Sequence, residues 1–482
     1  MIGIVAASLA AATALIAGDR RIRAFALVIA VIAAPVIVAG SVWDEPRVVD
    51  LRESPLTLAV GLIAAVGVLA ALTLVFRRHP MLFALAAFSV LALRAPLEIG
   101  GESANLLVPL YLVIGAGVIA YLLDTRDDTG VAQPAESPWS VWLRRALGSA
   151  LVLYALQSAY SEDVANAIED TGFFLVPFAV LTVLLFETKW DAELLNRVLV
   201  AVAVVAVGCA VVALGEYAIG DLFLNPELFD ANQLHVYFRV NSIFFDPNIL
   251  GRYLALAITA LGACIAWQLS RRDGALALLA CGACLAGLAF SYSITSFAAL
   301  IAGLGMVALL RWSWRGALVA AGMGLVALIA LIAVGGTPTS DIQDYRSIDS
   351  GRESLVDGGL ELFANRPLSG YGSGAFGQAF FDEIEQARSA ISHSEPITVA
   401  AEQGLVGLAL YVALLVTALA TLLGGGVRRS LARSAVAACF VAILVHSLGY
   451  AGFLTDPATW ALLALGIALR RNPPDPSATI RR

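Results

Sequence analysis

The sequence predicts an all-α, polytopic membrane helix bundle that carries one large, mostly helical segment outside the bilayer. Three observations predict it. Of 482 residues, 60% are hydrophobic and only 14% charged, with a mean hydropathy of +0.84; a water-soluble domain of that composition would expose enough apolar surface to aggregate. Apolar runs of about 17–22 residues recur along the chain, the length that crosses roughly 30 Å of hydrocarbon at about 1.5 Å per residue. Those runs are leucine-, alanine- and valine-rich without period-two alternation, which excludes an outer-membrane barrel.

Taken in order, the runs place spans near 2–18, 22–40, 56–76, 80–98, 105–123, 144–160, 171–187, 197–219, 249–269, 274–293, 295–310, 316–335, 397–423, 433–452 and 457–470. The short or closely paired ones make the expected total about 12–15. Met1–Gly18 lacks a basic start, and Arg20, Arg21 and Arg23 follow its apolar run, so it reads as a first span with an outside N-terminus rather than a cleaved signal. The chain divides into N-terminal spans (1–190), further spans with an outer loop at 220–248 (191–335), a large polar segment (336–396), C-terminal spans (397–471) and a cytoplasmic tail (472–482).

Orientation follows the arginines, since Lys189 is the only lysine. Arg20-Arg21-Ile22-Arg23, Arg77-Arg78, Arg126 with Arg144-Arg145, Lys189 with Arg197, Arg271-Arg272, Arg311 with Arg315, Arg428-Arg429 with Arg433, and Arg470-Arg471 all fall on one side of those spans. That side is predicted to be cytoplasmic. Both informative polar stretches, 220–248 and 336–396, then face the other way. ATP, NADH and cytosolic sugar nucleotides are therefore not expected as direct substrates, and no phosphate-cradling glycine motif is present. The net charge of −7 and the lack of a basic tract give no footprint for nucleic acid.

Within the polar segment, Arg352–Asn365 has helical periodicity, and Arg366-Pro367 ends it. Pro367-Leu368-Ser369-Gly370-Tyr371-Gly372-Ser373-Gly374 is a ribbon whose glycines permit positive φ and close backbone approach. A second helix is expected over Phe376–Arg388, and Pro396 suits the first turn of the next span.

Several side chains admit both a bland and a chemical reading. Arg239, in Tyr237-Phe238-Arg239-Val240-Asn241, is either an arginine snorkelling to headgroups or a clamp whose guanidinium forks onto phosphate. Arg352 admits the same pair, plus a surface ion pair with Asp349 or Glu353. Arg94, near the outer end of its span, could bind the same anion or reach lipid phosphate. Glu216, Asp246 and Glu395 are carboxylate candidates of a common kind. Of the four histidines, His79 reads as an interface residue, and His446 as a helix contact inside a span or a functional intramembrane group. His235 and His393 lie on the outer face, where an imidazole can exchange protons near neutral pH. The five cysteines all lie in apolar runs, and Cys281-x-x-Cys284 has no second pair to complete a metal or redox site.

Arg239 with Phe244-Phe245-Asp246-Pro247-Asn248-Ile249-Leu250-Gly251 resembles the R…F-x-x-P-N-x-L-(G/A) signature of the O-antigen ligase and polymerase superfamily. Gly351-Arg352…Pro367-Leu368-Ser369-Gly370-Tyr371-Gly372-Ser373-Gly374-Ala375-Phe376 resembles its glycine-rich segment. His393-Ser394 followed by Glu402-Gln403-Gly404-Leu405-Val406-Gly407-Leu408 resembles its H-(S/N)…E-x-G ending. The three blocks keep the family's order over about 239–410, whereas 1–190 matches only as generic spans. The family's Ser-Arg-Gly turn is replaced here by Ser291-Tyr292-Ser293-Ile294-Thr295-Ser296.

The resemblance implies a GT-C-like, metal-independent glycosyltransferase without cofactors in the bacterial inner membrane, its active face extracytoplasmic. It implies transfer of a glycan, with inversion, from undecaprenyl diphosphate to a lipid- or polymer-linked saccharide acceptor, among membrane lipids. By position, Arg239 and Arg352 would hold diphosphate and His393 would assist the acceptor hydroxyl. Beside them, Arg94 is expected to bind the same diphosphate, and Asp246, Asn248, Glu395 and His235 to lie around the acceptor or behind the arginines. Ligase and polymerase remain alternatives within this chemistry. A transporter or flippase of lipid-linked saccharides or small anions is the alternative outside it, although the polar groups concentrate in exterior loops and no repeat links the two halves.

Overall fold

The computed structural model describes residues 2–41, 43, 46–93, 95–99, 102–124, 136–223, 238–267, 270–319, 322, 324, 352–384 and 392–472. Helices α1 (Ile2–Ile16), α2 (Arg20–Ser41), α3 (Pro46–Glu53), α4 (Pro55–Arg78) and α5 (Met81–Val90) lead to a hairpin of β1 (Ala95–Ile99) and β2 (Glu102–Leu106). Next come α6 (Val108–Leu123), α7 (Pro138–Gln157), α8 (Val164–Glu169), α9 (Val176–Glu187) and α10 (Ala192–Ile219). Then follow α11 (Pro247–Ala266), α12 (Arg271–Phe290), α13 (Ile294–Arg311), α14 (Arg352–Asn365), α15 (Phe376–Ile384), α16 (Glu395–Leu423), α17 (Leu431–Ser447) and α18 (Pro457–Arg471). Eight helical stretches among the described residues are long and apolar enough to cross a membrane, and four shorter apolar helices stand beside them. The protein is thus a helical, multi-pass membrane protein.

Two elements depart from the expected pattern. The span expected at 80–98 stops at Val90, and the chain runs on into an antiparallel hairpin pairing Ala95 with Leu106 and Ile99 with Glu102. Pro96 has no amide hydrogen and disfavours helix in the residue before it, so the turn cannot continue. The loop expected at 161–170 is instead helical. Asp163 caps α8 by accepting the Asn166 amide at 3.0 Å, and a turn of π-helix over Asp170–Leu175 joins α8 to α9. Most of the span expected at 316–335 lies outside the described residues.

The buried apolar side chains form two large cores, and α17 packs against α11 and α13 between them. Leu15, Leu27, Phe178, Leu185, Phe440 and Trp460 belong to one core shared by α1, α2, α5, α6, α7, α9, α16, α17 and α18. Leu250, Leu254, Leu288 and Phe244 belong to a second core between α10, α11, α12 and α13.

The arginines gathered at one end have a structural use. Arg144 donates to the Leu15 carbonyl at 3.1 Å and Arg23 to that of Ala17 at 2.5 Å, closing the end of α1. Arg20 reaches Tyr121 at the end of α6 at 3.3 Å, and Arg311 reaches Ala266 at the end of α11 at 3.0 Å. Arg470 reaches Ala420 and Thr421 near the end of α16 at 3.1 and 3.0 Å. Each guanidinium meets carbonyls that the helix leaves unbonded, at the negative end of its dipole. Asp19 works at the same end in the opposite sense, accepting the Arg21 and Ile22 amides at the start of α2. Those backbone bonds hold its carboxyl below the usual value.

Candidate active site

At the opposite end of the bundle, α11, α13, α16 and α18 begin. Asp246 caps α11 (to the Asn248 amide, 2.6 Å), Ser293 caps α13 (to Ser296, 3.3 Å) and Asp456 caps α18 (to Ala458, 2.8 Å), while Ser394 precedes α16. Side chains tie these starts together. Ser293 donates to Asn248 Oδ1 at 2.7 Å; Tyr450 donates to Asp246 Oδ2 at 2.9 Å. Glu395 accepts the Gly452 and Phe453 amides at 2.6 and 3.0 Å, and Arg252 forms a buried ion pair with Asp456 at 2.7 Å.

Arg239 enters this cluster on the short strand-like connection before α11. The Val240 amide donates to the Phe290 carbonyl at 3.2 Å, and the Asn241 and Ser242 amides donate to the buried Glu216 carboxylate at 3.0 and 2.7 Å. With its backbone fixed, Arg239 donates Nε–H to the Ser291 carbonyl at 3.0 Å and Nη2–H to Asn248 Oδ1 at 3.4 Å. These two bonds fix the aim of the guanidinium.

His393 precedes α16 on the other side of the cluster. Its ring centroid lies 6.1 Å from that of Tyr450, and the Tyr450 hydroxyl reaches Asp246. The buried His446 ring is 5.6 Å from the same tyrosine. Tyr450 therefore stands between the histidines and the α11 cap.

The backbone adds an independent marker. Among the described residues, three non-glycines have φ in the left-handed region: Ser242 (54°), Tyr292 (49°) and His393 (57°). Ser242 is three residues from Arg239, Tyr292 follows the carbonyl that Arg239 grips, and the third is the candidate histidine itself. Such conformations cost of the order of 1–3 kcal/mol each in less favourable cases and cluster where function requires them.

Of the expected site residues, the structure gathers Arg239, Asp246, Asn248, Glu395 and His393 in one network. Arg352 begins α14, but its side chain lies outside what is described; Arg94 and His235 lie outside the described residues. The carboxylates considered as acids serve the backbone instead: Glu216 holds the Arg239 loop, Asp246 caps α11, and Glu395 holds the 452–453 turn.

The glycine ribbon has a different task. Helix α16 is interrupted at Gly404, where φ is 62° and ψ −161°, and the ribbon packs its backbone into that break. Tyr371 and Gly372 donate to the Ala401 and Glu402 carbonyls at 3.1 and 2.8 Å, and the Leu405 amide donates to Pro367 at 2.8 Å. The Glu402 carboxylate accepts the Gly374 and Phe376 amides at 2.9 and 3.1 Å. A Cβ at Gly370 would lie 2.2 Å from the Glu402 carbonyl oxygen, and one at Gly372 would lie 2.2 Å from Ser161 Cα. Arg366 lies 4.0 Å over the Tyr371 ring and pairs with Glu162 at 2.6 Å. Burial raises the Tyr371 phenol above its ordinary value.

Sequence reasoning did not single out Ser293, Ser296, Tyr450 or the Arg252–Asp456 pair. Arg252 carried a usable signal, an ionisable residue inside an apolar run. Ser293-x-x-Ser296 carried another, the spacing of a serine cap at a helix start. Tyr450 carried none.

Residues 279–412 match the Wzy_C family model, described as O-antigen ligase. The match takes in the Ser291–Ser296 turn, α13, α14, the ribbon, His393 and the Glu402–Gly404 break, and stops short of His446 and Tyr450. No curated protein matches the chain.

Proposed function

We propose, from the match of residues 279–412 to the O-antigen ligase family model, that this chain is a member of the O-antigen ligase and polymerase superfamily and that the cluster transfers a glycan from a polyprenyl-diphosphate donor. Glycosyl transfer of the ligase or polymerase type, from a lipid-linked glycan to a saccharide acceptor, is the activity of the superfamily. What the geometry supports beyond it is an assignment of residues. The observation that carries the assignment is an arginine aimed, by the Ser291 carbonyl and Asn248 Oδ1, at the starts of α13 and α11. Helix starts favour negative charge by about 0.3–1 kcal/mol each at exposed sites, and Arg239 adds a full positive charge at the same place.

In this reading Arg239 holds the diphosphate, with Arg352 as its second clamp. The acceptor hydroxyl oxygen attacks the anomeric carbon from the face opposite the phosphate and forms the new glycosidic bond. The bond from that carbon to the phosphate oxygen breaks, and its electron pair leaves with the diphosphate, where the guanidinium groups stabilise it. The hydroxyl proton passes to the His393 imidazole. The active face is extracytoplasmic, and the membrane is the bacterial inner membrane.

Purified full-length protein, a polyprenyl-diphosphate-linked oligosaccharide and a saccharide acceptor give the test. Arg239→Ala should lower transfer about 100-fold or more, and Arg239→Lys should not restore it, because an ammonium lacks the planar fork. His393→Ala should lower the turnover rate about 10²–10⁴-fold. Full transfer by Arg239→Ala and His393→Ala with unchanged melting temperatures would remove both assignments.

A further inference from the structure

From the geometry around Asn248 we infer that His446, buried in α17, is a positioning residue for Arg239, acting through a one-way chain of hydrogen bonds. The inference rests on the reading of Arg239 as the diphosphate ligand. The chain runs from His446 Nε2 to Ser296 Oγ (3.1 Å), from Ser296 Oγ to Ser293 Oγ (2.7 Å), and from Ser293 Oγ to Asn248 Oδ1 (2.7 Å). Arg239 Nη2 meets the same Oδ1 at 3.4 Å.

The direction of every proton follows from its ends. A guanidinium has donors only, so the amide atom facing Arg239 is the oxygen. That oxygen cannot donate, so the Ser293 hydroxyl hydrogen points to it. Ser293 Oγ then accepts from Ser296 Oγ at 2.7 Å, a shorter contact than the 3.3 Å from Ser296 Oγ to the Asn248 carbonyl. It also accepts from the Ser296 amide at 3.3 Å. With its own hydrogen used, Ser296 accepts from His446, whose Nε2 carries hydrogen. The imidazole thereby fixes two serine rotors and, through them, the orientation of the Asn248 amide. An amide turned the other way would present two N–H groups to Arg239 and push the guanidinium off its aim.

Space for the chain is reserved in the backbone. A Cβ at Gly251 would lie 2.6 Å from Ser296 Oγ. His446, Ser296, Ser293 and Asn248 are all buried, and in such surroundings a satisfied polar chain is strengthened while a cut one is costly. The chain occupies the turn in which the resemblance would place a further arginine, so it is a feature of this sequence in its own right.

Binding of undecaprenyl diphosphate to the purified full-length protein in detergent tests the inference, read alongside KM for the lipid-linked donor and kcat. Ser293→Ala and His446→Leu should each weaken binding about three- to tenfold, the scale of one net hydrogen bond, and raise donor KM more than they lower kcat. His446→Gln, whose amide places an N–H near the Nε2 position, should bind within about twofold of wild type. Wild-type binding by Ser293→Ala overturns the inference, as does a His446→Gln variant no better than His446→Leu. Should His446→Leu fail to fold, Ser293→Ala decides alone. Arg239→Ala serves as the separate control: if it binds undecaprenyl diphosphate normally, the reading of Arg239 itself is wrong, whereas loss there with normal binding by Ser293→Ala sinks only the relay.

Discussion

Arg252 and Asp456 illustrate what a charge does inside this protein. Their ion pair at 2.7 Å leaves side chains only 6% and 9% exposed, and it joins α11 to the cap of α18 just behind the cluster. A buried pair contributes little against a well-packed apolar replacement, but removing one partner strands the other. Asp456→Ala should therefore cost about 3–5 kcal/mol, seen as a large drop in thermal midpoint in detergent. The double variant Arg252→Met with Asp456→Leu should recover most of it. If the single variant melts like wild type, the pair does not hold the two helices together. At this scale the sequence was partly legible: Arg239 stood out by its aromatic setting, and Asn248 and His393 through the family resemblance. Ser293 and Tyr450 did not, because a serine or tyrosine acquires meaning only from the atom placed opposite it.

The ribbon and the broken helix belong to the scale of elements. Ribbon amides satisfy carbonyls at the break, and Glu402 satisfies two ribbon amides in return, so each element completes the other. Gly370→Ala meets both obstacles at once: φ of +65° and a carbonyl 2.2 Å from the new Cβ. It should release the ribbon, expose 366–376 to limited proteolysis and lower the melting temperature by several degrees, while Leu368→Ala, at an exposed position, should do neither. Rapid cleavage of both or neither would mean that the docking is not what orders the ribbon. The start and end of α14 were readable from periodicity and from Pro367. The interruption of α16 was not, since the cause lies some thirty residues upstream in sequence, in a backbone that packs against Glu402-Gln403-Gly404. An interrupted membrane helix is also a feature of transporters, but here peptide groups of the ribbon fill the gap.

At the scale of the whole molecule, the arginine caps and the candidate chemistry are sorted to opposite ends. The carbonyl ends of α1, α6, α11 and α16 collect arginines on one side, and the amide ends of α11, α13, α16 and α18 collect the candidate chemistry on the other. Several of the arginines that set the expected orientation, Arg20, Arg23, Arg144, Arg311 and Arg470, are thus also helix caps. The sorting yields a topology experiment in intact cells. Native thiols give a low background, since Cys209, Cys264, Cys284 and Cys439 are buried and Cys281 half-buried. Leu448→Cys, 57% exposed at the site end of α17, should react with a membrane-impermeant maleimide added outside. Arg429→Cys, exposed at the arginine end, should react only after permeabilisation. The reverse pattern would put the cluster in the cytoplasm and end the proposal of a lipid-diphosphate donor presented from outside.

Gly404 sits ten residues below Ser394, so the upper part of α16 is a stub about two and a half turns long with His393 at its tip and a break at its base. Because the ribbon is stitched to that break, the exterior segment and the imidazole share one mount, and a substitution that unseats the ribbon also removes the support beneath the histidine.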